Sequence, residues 1–382
     1  MVATVAVVAC LAVVAVGCSG GKPYVDEAFY RQTYTLDPTE HGRLLASQRP
    51  DGELDSYRTW RILYQSIDAT GKPVTVSGMA LRPNKAAPAG GWPLIAFAHG
   101  TTGLSDGCAP SRDPSSVGLV KDLLAGGYAV VETDYVGLGT PGVHPYLDGA
   151  SEGHAVLDSI RAAHSLRGLQ TGPTTILWGY SQGGHAALFA SQQAVADGID
   201  LGIAGVIDMA GPATKQWTLD AAGDSPRFQF FLLTAIAAAK TRAGLSMPDV
   251  LGAGSIAAAP ELLGEDSKDC PDLTEIANGV PADQRVTNPA AAIPAWSAAF
   301  DATDLPGAGA VAPVYIQHGT ADPTVPYTES LAARARLCAG GTSVTLNSQQ
   351  GGNHLTAVDP KPPLEWLKLL LGGVTPRNDC PR

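Results

Sequence analysis

The fold of this chain is decided by the stretch Thr174-Thr175-Ile176-Leu177-Trp178-Gly179-Tyr180-Ser181-Gln182-Gly183-Gly184-His185-Ala186-Ala187-Leu188. Its apolar beginning, 174–178, predicts a strand, and the residues from Gly184 to Ala196 predict a helix. Gly179-x-Ser181-x-Gly183 fills the junction, which is typical of the sharp turn that presents a nucleophilic serine. We therefore predict that Ser181 is a nucleophile and that the free N–H groups at the helix start face the oxyanion that forms.

Apolar strands alternate with helical patterns on both sides of this stretch. The predicted strands are Leu94–Ala98, Tyr128–Thr133, Thr174–Trp178, Ala204–Met209, Val314–Gln317 and Val344–Leu346. The predicted helices are Val117–Ala125, Gly153–Leu166 and Gly184–Ala196. A β-hairpin, with strands over 56–66 and 73–81, is predicted ahead of them. Near-continuous apolar strands separated by helices favour an α/β fold, with a mostly parallel central sheet and helices on both faces.

The interval from Pro212 to Pro313 interrupts this alternation, because it contains no convincing central strand. Loops in α/β folds usually have about 2–6 residues, so an interval of this length must form its own structure. We predict an inserted, largely helical cap over 213–312 and a core formed by 22–212 and 313–382.

The cap sequence contains an apolar helical pattern from Phe228 to Lys240. We predict that Phe228 and Phe231 line a substrate site. Packing inside the cap itself would explain the same pattern equally well.

A serine hydroxyl needs an imidazole to take its proton, and the imidazole needs an acid behind it. Asp322 follows the strand that ends at Gln317, and His354 follows the last predicted strand. The carboxyl ends of parallel strands meet at one edge of a sheet, so these side chains are expected near Ser181. Asp208 is the alternative acid, although it sits inside an apolar run.

The other histidines near these motifs receive structural assignments. His318 is too close to Asp322 in sequence to face the serine from the other side, so we expect it to pack at the strand end. His185 is expected to pack on the sheet or the cap. His144 and His154 are expected to be solvated loop residues, and a place in the lining of a pocket is the alternative.

The stabilisation of an oxyanion needs two backbone N–H donors. One is expected from Gln182, the residue after the nucleophile. The second is expected from the loop 99–103, where we choose Thr101 and keep Thr102 as the alternative, because the sequence does not fix which amide points inward. His99 is expected to hold this loop.

The composition excludes several classes of protein. The chain has 382 residues, of which 36 are acidic and 25 are basic, giving a net charge of −11. Such a charge repels phosphate backbones, so no nucleic-acid partner is expected. The segment Gly137–Gly142 satisfies G-x-G-x-x-G, but its prolines keep it in a loop, so no dinucleotide site is predicted. No metal-binding motif is present.

The N-terminal residues 1–17 form a short uncharged apolar run that is followed by Cys18. This pattern is typical of a bacterial lipoprotein signal, in which cleavage precedes the cysteine and the thiol carries a lipid anchor in the membrane. A cleaved secretory signal and an uncleaved anchor are the alternatives. In each case the protein is exported, either anchored or secreted, and we expect a monomer.

Four cysteines remain after this segment, which is typical of two disulfides in an exported protein. Three connectivities are possible. We favour Cys108–Cys270, which would join a core loop to the cap, and Cys338–Cys380, which would pin the C-terminal tail.

With these residues identified, the chain resembles the secretory lipase family of α/β hydrolases from about Tyr30 to Leu371. The shared motifs are His99-Gly100-Thr101-Thr102-Gly103, Cys108-Ala109-Pro110-Ser111, Asp134-Tyr135-x-Gly137-Leu138-Gly139, Gly179-Tyr180-Ser181-Gln182-Gly183-Gly184, His318-Gly319-x-x-Asp322 and Gly351-Gly352-x-His354. Fungal members can carry Asp in the oxyanion loop where this chain has Thr101-Thr102, so their substrate range does not transfer.

The resemblance implies an α/β-hydrolase fold, a triad of Ser181, Asp322 and His354, a helical cap over an acyl pocket, and no cofactor. The expected activity is hydrolysis of carboxylic or lipid esters through an acyl-enzyme on Ser181. An acyltransferase that uses the same acyl-enzyme, and a lipid-binding lipoprotein without catalysis, are the alternatives.

Overall fold

The structure is a computed structural model that describes residues 26–50, 56–113, 118–223, 226–264 and 269–381. The predicted signal segment and Cys18 lie outside the described residues. Within these ranges, no helix is both long and apolar enough to cross a membrane.

Nine strands form one sheet, in the spatial order β1-β2-β3-β5-β4-β6-β7-β8-β9. Their bounds are β1 Leu44–Gln48, β2 Tyr57–Ile67, β3 Pro73–Pro83, β4 Trp92–Ala98, β5 Ala129–Thr133, β6 Thr171–Tyr180, β7 Ile203–Met209, β8 Val314–Gly319 and β9 Val344–Gln349. The first three strands pair antiparallel, and β3 continues antiparallel onto β5. From β5 to β9 every pair is parallel. The mostly parallel sheet predicted from the sequence is confirmed.

The helices outside the long insertion pack on both faces of this sheet. Their bounds are α1 Glu27–Tyr30, α2 Val120–Ala125, α3 Gly149–Ser165, α4 Gln182–Ala196, α11 Thr328–Ala339 and α12 Lys361–Leu371. Apolar residues of α3, α4 and α11 form one buried cluster with the sheet, and those of α2 and α12 form a second cluster on the other face. Parallel strands buried on both faces explain the near-continuous apolar runs.

Several element boundaries differ from the sequence-based prediction by a few residues, and one strand was not predicted. Helix α3 begins at Gly149 rather than Gly153, because the Asp148 carboxylate accepts a hydrogen bond from the Ser151 amide, 3.1 Å away, and caps the helix. Helix α2 begins at Val120 rather than Val117. Strand β1 was not predicted, since it is a short edge strand without an alternating apolar pattern.

The segment between β7 and β8 is helical in its described part. It contains α5 Lys215–Asp220, α6 Phe228–Thr241, α7 Met247–Val250, α8 Ala253–Leu262, α9 Leu273–Gly279 and α10 Pro294–Phe300. Their apolar side chains form a third buried cluster, which also contacts Leu104, Tyr146 and Val325 of the sheet-bearing part. That this segment acts as a separate cap domain over 213–312 stays a prediction.

Two disulfides join the pairs that we favoured from the sequence. Cys108 bonds to Cys270, which fastens the loop after β4 to the inserted segment. Cys338 bonds to Cys380, which fastens the C-terminal tail to α11.

Candidate active site

Ser181 sits on a strained turn between β6 and α4. Its backbone adopts φ 55° and ψ −120°, a conformation that a non-glycine residue rarely takes. The turn closes tightly: a Cβ on Gly179 would lie 1.8 Å from the Gly183 carbonyl oxygen, and a Cβ on Gly183 would lie 1.8 Å from the Ala98 carbonyl oxygen. Only glycine fits at these two positions.

The structure brings the three residues of the predicted triad together. Oγ of Ser181 lies 3.0 Å from Nε2 of His354. Nδ1 of His354 lies 2.6 Å from Oδ2 of Asp322, which fixes the proton on Nδ1 and leaves Nε2 free to accept the serine proton. Ser181 and Asp322 are each 7% exposed, so the hydrogen bonds are largely shielded from water.

Asp322 is held by more groups than His354 alone. Its Oδ1 accepts hydrogen bonds from the amides of Thr324 and Val325, at 2.8 and 3.0 Å. Burial by itself would raise the pKa of this carboxyl, but hydrogen bonds from His318 and His354, the His354 charge and the Val325 amide hold the pKa well below its usual range. The Asp322 carboxyl is therefore ionised wherever the protein is folded at ordinary pH.

His318 does more than pack at the end of β8, which is what we expected from its position. Its Nε2 lies 3.0 Å from Oδ2 of Asp322 and 2.8 Å from the carbonyl oxygen of Val325. Its Nδ1 lies 2.5 Å from Oγ of Ser330. As predicted, the ring nitrogens of His318 contact groups other than the serine, but the contact with Asp322 was not predicted.

One predicted oxyanion donor, Gln182, follows Ser181 in the chain, and the loop that carries the other passes close to the serine, since a Cβ on Gly100 would lie 3.5 Å from Cβ of Ser181. The amides of Gln182, Thr101 and Thr102 donate no hydrogen bond to the rest of the described chain, so they are free to meet an oxyanion. The hydroxyl of Thr101 lies 2.7 Å from that of Tyr146, which holds the loop after β4. His99, whose Nδ1 lies 2.6 Å from the Gly100 carbonyl oxygen, is buried in the same loop. Which of Thr101 and Thr102 donates stays a prediction.

A buried polar cluster behind Gln182 was not predicted from the sequence. The side-chain amide of Gln182 donates to Oε1 of Glu152 at 2.7 Å and lies 2.8 Å from Nε2 of His144. Nδ1 of His144 donates to the Val136 carbonyl oxygen at 3.0 Å, so Nε2 accepts from Gln182. Glu152, Gln182 and His144 are at most 2% exposed. We call Glu152, Gln182, His144 and His185 the Glu152 cluster.

The Glu152 cluster also contacts the inserted segment. Nδ1 of His185 lies 2.7 Å from Oε2 of Glu152, and its Nε2 lies 3.3 Å from the carbonyl oxygen of Thr303. His144, which we expected to be solvated, is fully buried, and burial lowers its pKa to about 3. His154 is half-buried and contacts Gln193. Only the Asp148 cap signal at the start of α3 marks this region in the sequence.

Phe228 and Phe231, the predicted substrate-binding residues, are both fully buried inside the inserted segment. The ring of Phe231 lies 5.8 Å from that of Phe300, and the Arg285 guanidinium lies 4.7 Å from the Phe228 ring. These contacts are those of an internal core, the alternative that we kept open. Contact with an acyl chain stays a prediction, and it requires the inserted helices to rearrange.

The remaining candidates do not join the site. Asp208, the alternative acid, accepts a hydrogen bond from the Gly211 amide at 2.8 Å, and the acid that contacts His354 is Asp322. The segment Gly137–Gly142 stays in a loop, and the next helix begins only at Gly149. Across the described ranges, no group of three or more His, Cys, Asp or Glu side chains is placed to hold a metal ion.

A nucleophile turn at the edge of a mostly parallel sheet, with helices on both faces, defines the α/β-hydrolase fold. Solved structures agree. The chain matches an esterase named LipA from Xanthomonas oryzae, a rice cell wall degrading enzyme, at 23% identity with a TM-score of 0.73, covering 88% of this chain and 100% of that one. It matches lipase A from Candida antarctica at 20% identity with a TM-score of 0.74, covering 89% of this chain and 84% of that one.

Sequence comparison confirms the resemblance to the secretory lipase family, whose model matches residues 115–219. Lipase A from Moesziomyces aphidis is 25% identical over 228 residues, which cover 55% of this chain and 48% of the relative. A probable inactive lipase from Mycobacterium tuberculosis is 29% identical over 161 residues, which cover 38% of this chain and 35% of the relative. The chain thus spans less than half the length of these curated relatives.

Proposed function

We propose that the protein hydrolyses carboxylic esters through an acyl-enzyme on Ser181. The observation that carries the proposal is the continuous path of hydrogen bonds from Oγ of Ser181 through His354 to Asp322. The relatives named as lipases and an esterase support the choice of esters as the substrate class.

In the first step, Oγ of Ser181 bonds to the ester carbonyl carbon while its proton moves to Nε2 of His354. Asp322 keeps the imidazole oriented and stabilises its positive charge. The amides of Gln182 and Thr101 donate to the oxyanion.

The intermediate then collapses. The bond from carbon to the alcohol oxygen breaks, and His354 returns its proton to that oxygen. Water repeats the sequence on the acyl-enzyme and releases the carboxylic acid, with Ser181 restored. These residues supply every proton transfer and every charge contact, so we propose no cofactor.

We infer that the protein acts outside the cytoplasm as a monomer. The family is described as secretory, the sequence carries the export pattern ahead of Cys18, and two disulfides suit an oxidising compartment. We propose that a lipid on Cys18 anchors the protein to the membrane and that 213–312 covers the site as a cap. Mass spectrometry of the N-terminal peptide checks the lipid: an unmodified Cys18 contradicts the anchor.

The test of the hydrolase uses protein that lacks 1–17 and p-nitrophenyl esters from acetate to palmitate. Turnover is expected in the parent protein and is expected to be lost in Ser181→Ala. The matched control is Ser191→Ala, since Ser191 is a buried serine on the same helix that donates only to the Leu188 carbonyl oxygen. Activity and fluorophosphonate labelling should survive this control.

The length profile of the acyl chains separates an esterase from a lipase, and added alcohol reveals any acyl transfer. A folded parent protein with no turnover and no labelling at Ser181 would overturn the hydrolase proposal in favour of a lipid-binding role. Because one relative is named as a probable inactive lipase, the test for activity comes before all other experiments.

A further inference from the structure

A cavity of about 490 Å³ lies beside the candidate active site. Its lining includes Gly100, Thr101 and Thr102 of the loop after β4, and Tyr180, which precedes Ser181 in the chain. Gly100 passes so close to the nucleophile that a Cβ on it would lie 3.5 Å from Cβ of Ser181. The volume is in the range of about 300–1,000 Å³ that is usual for small-molecule sites.

The wall of this cavity contains a carboxyl group that the packing does not explain. Glu132 lies on β5 opposite Phe97 of β4, and both residues line the cavity. Its side chain is 4% exposed, and its Oε2 has no hydrogen-bond partner among the described residues. An unsatisfied buried polar group destabilises a fold, so packing alone would favour an apolar residue at this position.

A second polar atom in the wall is in the same situation. Oγ1 of Thr102 is buried, lines the cavity and has no hydrogen-bond partner in the described part of the chain. Nε2 of His99, which also lines the cavity, is a third such atom among the described residues. These three atoms, in and next to the loop expected to hold the oxyanion, form a polar surface with hydrogen-bonding capacity for a bound molecule.

The chemistry of these groups favours hydroxyl groups over anionic groups. Burial, together with the nearby Asp134 charge, raises the pKa of Glu132 to about 8, so its carboxyl is protonated at neutral pH and both donates and accepts. The Thr102 hydroxyl likewise donates and accepts hydrogen bonds. No described lining residue is Lys or Arg, which speaks against a carboxylate or phosphate ligand. Phe97 and Tyr180 offer apolar surface to the carbon atoms between hydroxyl groups.

We propose that this cavity binds the alcohol part of the ester and favours alcohols that carry free hydroxyl groups, such as glycerol and sugars. The proposal deepens the ester hydrolysis proposed above and rests on it. A hydrocarbon acyl chain in the same place would leave Glu132 and Thr102 without partners, whereas a polyol would pair with both.

The test compares two butyrate esters that differ only in their hydroxyl groups, 1-monobutyrin and n-propyl butyrate. The parent protein is expected to favour monobutyrin about 30-fold in kcat/KM, because two neutral hydrogen bonds of about 1 kcal/mol each add up to about 2 kcal/mol, and about 1.4 kcal/mol corresponds to a factor of ten. Glu132→Met and Thr102→Val should each reduce this ratio severalfold. Thr175→Val is the matched control, because its Oγ1 is also buried without a partner in the described chain but does not line the cavity; it should leave the ratio unchanged.

A ratio near one in the parent protein, or a ratio that Glu132→Met does not change while both esters are hydrolysed, would overturn the cavity proposal and leave the hydrolase standing. Butyrylcholine, a butyrate ester of a cationic alcohol, is measured as a further substrate. A preference for this ester that disappears in Glu132→Met would mean that the cavity takes cations, and the polyol proposal would be wrong.

A binding measurement separates the cavity from catalysis. Ser181→Ala is expected to bind 1-monobutyrin in calorimetry, and Ser181→Ala combined with Glu132→Met is expected to bind it several times more weakly. If the parent protein hydrolyses neither ester, this dependence on Glu132 still supports the cavity while the proposed hydrolysis fails. Equal binding by the two proteins counts against the cavity.

Discussion

His318 and His354 share one carboxylate oxygen: Oδ2 of Asp322 lies 3.0 Å from Nε2 of His318 and 2.6 Å from Nδ1 of His354. His318 is fully buried, and its Nε2 also donates to the Val325 carbonyl oxygen at 2.8 Å. The acid of the proposed triad is thus fixed from its far side by a second imidazole that never meets the nucleophile.

Replacing His318 should therefore slow turnover without abolishing it. His318→Leu is expected to lower kcat about tenfold, because Asp322 loses a donor that fixes its orientation, whereas His318→Gln keeps an N–H donor and should lose less. Asp322→Asn, measured in parallel, should lose about 10⁴-fold, since asparagine stabilises the wrong tautomer of the imidazole. Equal rates in His318→Leu and the parent protein would show that the second imidazole has no part in positioning the acid.

Glu152 is expected to act as a positioning residue for Gln182. Glu152→Gln replaces the carboxyl group that accepts from the Gln182 side chain at 2.7 Å, so the backbone amide of Gln182, the proposed oxyanion donor, is held less firmly. We expect kcat to fall about tenfold with little change in KM, less than the 10²–10³-fold loss that follows removal of a whole oxyanion donor. Affinity for a trifluoromethyl ketone inhibitor should fall by a similar factor.

The matched control for this experiment is Asp158→Asn. Asp158 is a fully buried carboxylate on the same helix, but it binds Ser66 and Arg161, away from the site. Both substitutions should lower the melting temperature, and only Glu152→Gln should lower kcat. A parallel loss of kcat in both would reduce Glu152 to a structural role.

Glu132 should make the stability of the protein depend on pH. Its folded pKa of about 8 lies above the unfolded value of 4.5, so the folded protein holds a proton that the unfolded chain has lost. Stability therefore falls as pH rises from about 5 to 8, by at most about 1.4 kcal/mol per pH unit from this group. Asp134 and Asp208, whose pKa values burial raises to about 6, add to the fall at its lower end.

Urea unfolding of the parent protein and of Glu132→Gln, at pH 5, 6 and 7, measures this contribution. The glutamine variant cannot ionise at this position, so its free energy of unfolding should decline less steeply. Parallel pH profiles of the two proteins would show that the Glu132 carboxyl is not protonated in the fold.

The disulfide between Cys108 and Cys270 should contribute more stability than the one between Cys338 and Cys380. Its ends are 162 residues apart, against 42 for the second bond, and the entropy lost by the unfolded chain grows with the closed loop. Replacing both cysteines of the first pair by serine is expected to cost about 2–5 kcal/mol of unfolding free energy. A smaller loss than for the second pair, in the same urea titration, would contradict this order.

The sequence predicted the elements of the site that local motifs encode. The strand, glycine turn and helix around Ser181 are contiguous in the chain, and Asp322 and His354 each follow a strand, so the rule that parallel strands end at one edge was sufficient. The structure brings these three residues together as expected.

Buried polar residues that belong to no local motif were not predicted to join the site. Glu152 looks like an ordinary polar residue in the first turn of α3, and its burial exists only because α3 packs against α4. Glu132 sits in an otherwise typical strand, and nothing near it in the sequence reveals that a cavity forms beside it. His144 appeared to be a loop residue because the sequence does not show which loops fold inward.

The ribosome synthesises the three residues of the proposed triad in their chain order, with Ser181 first and His354 last. Ser181 precedes His354 by 173 residues, and the helices between β7 and β8 stand between them. A nascent chain that has completed the nucleophile turn still lacks its proposed base until 173 further residues have been added. Every truncated product that ends before His354 is therefore expected to be inert in the ester hydrolysis proposed above.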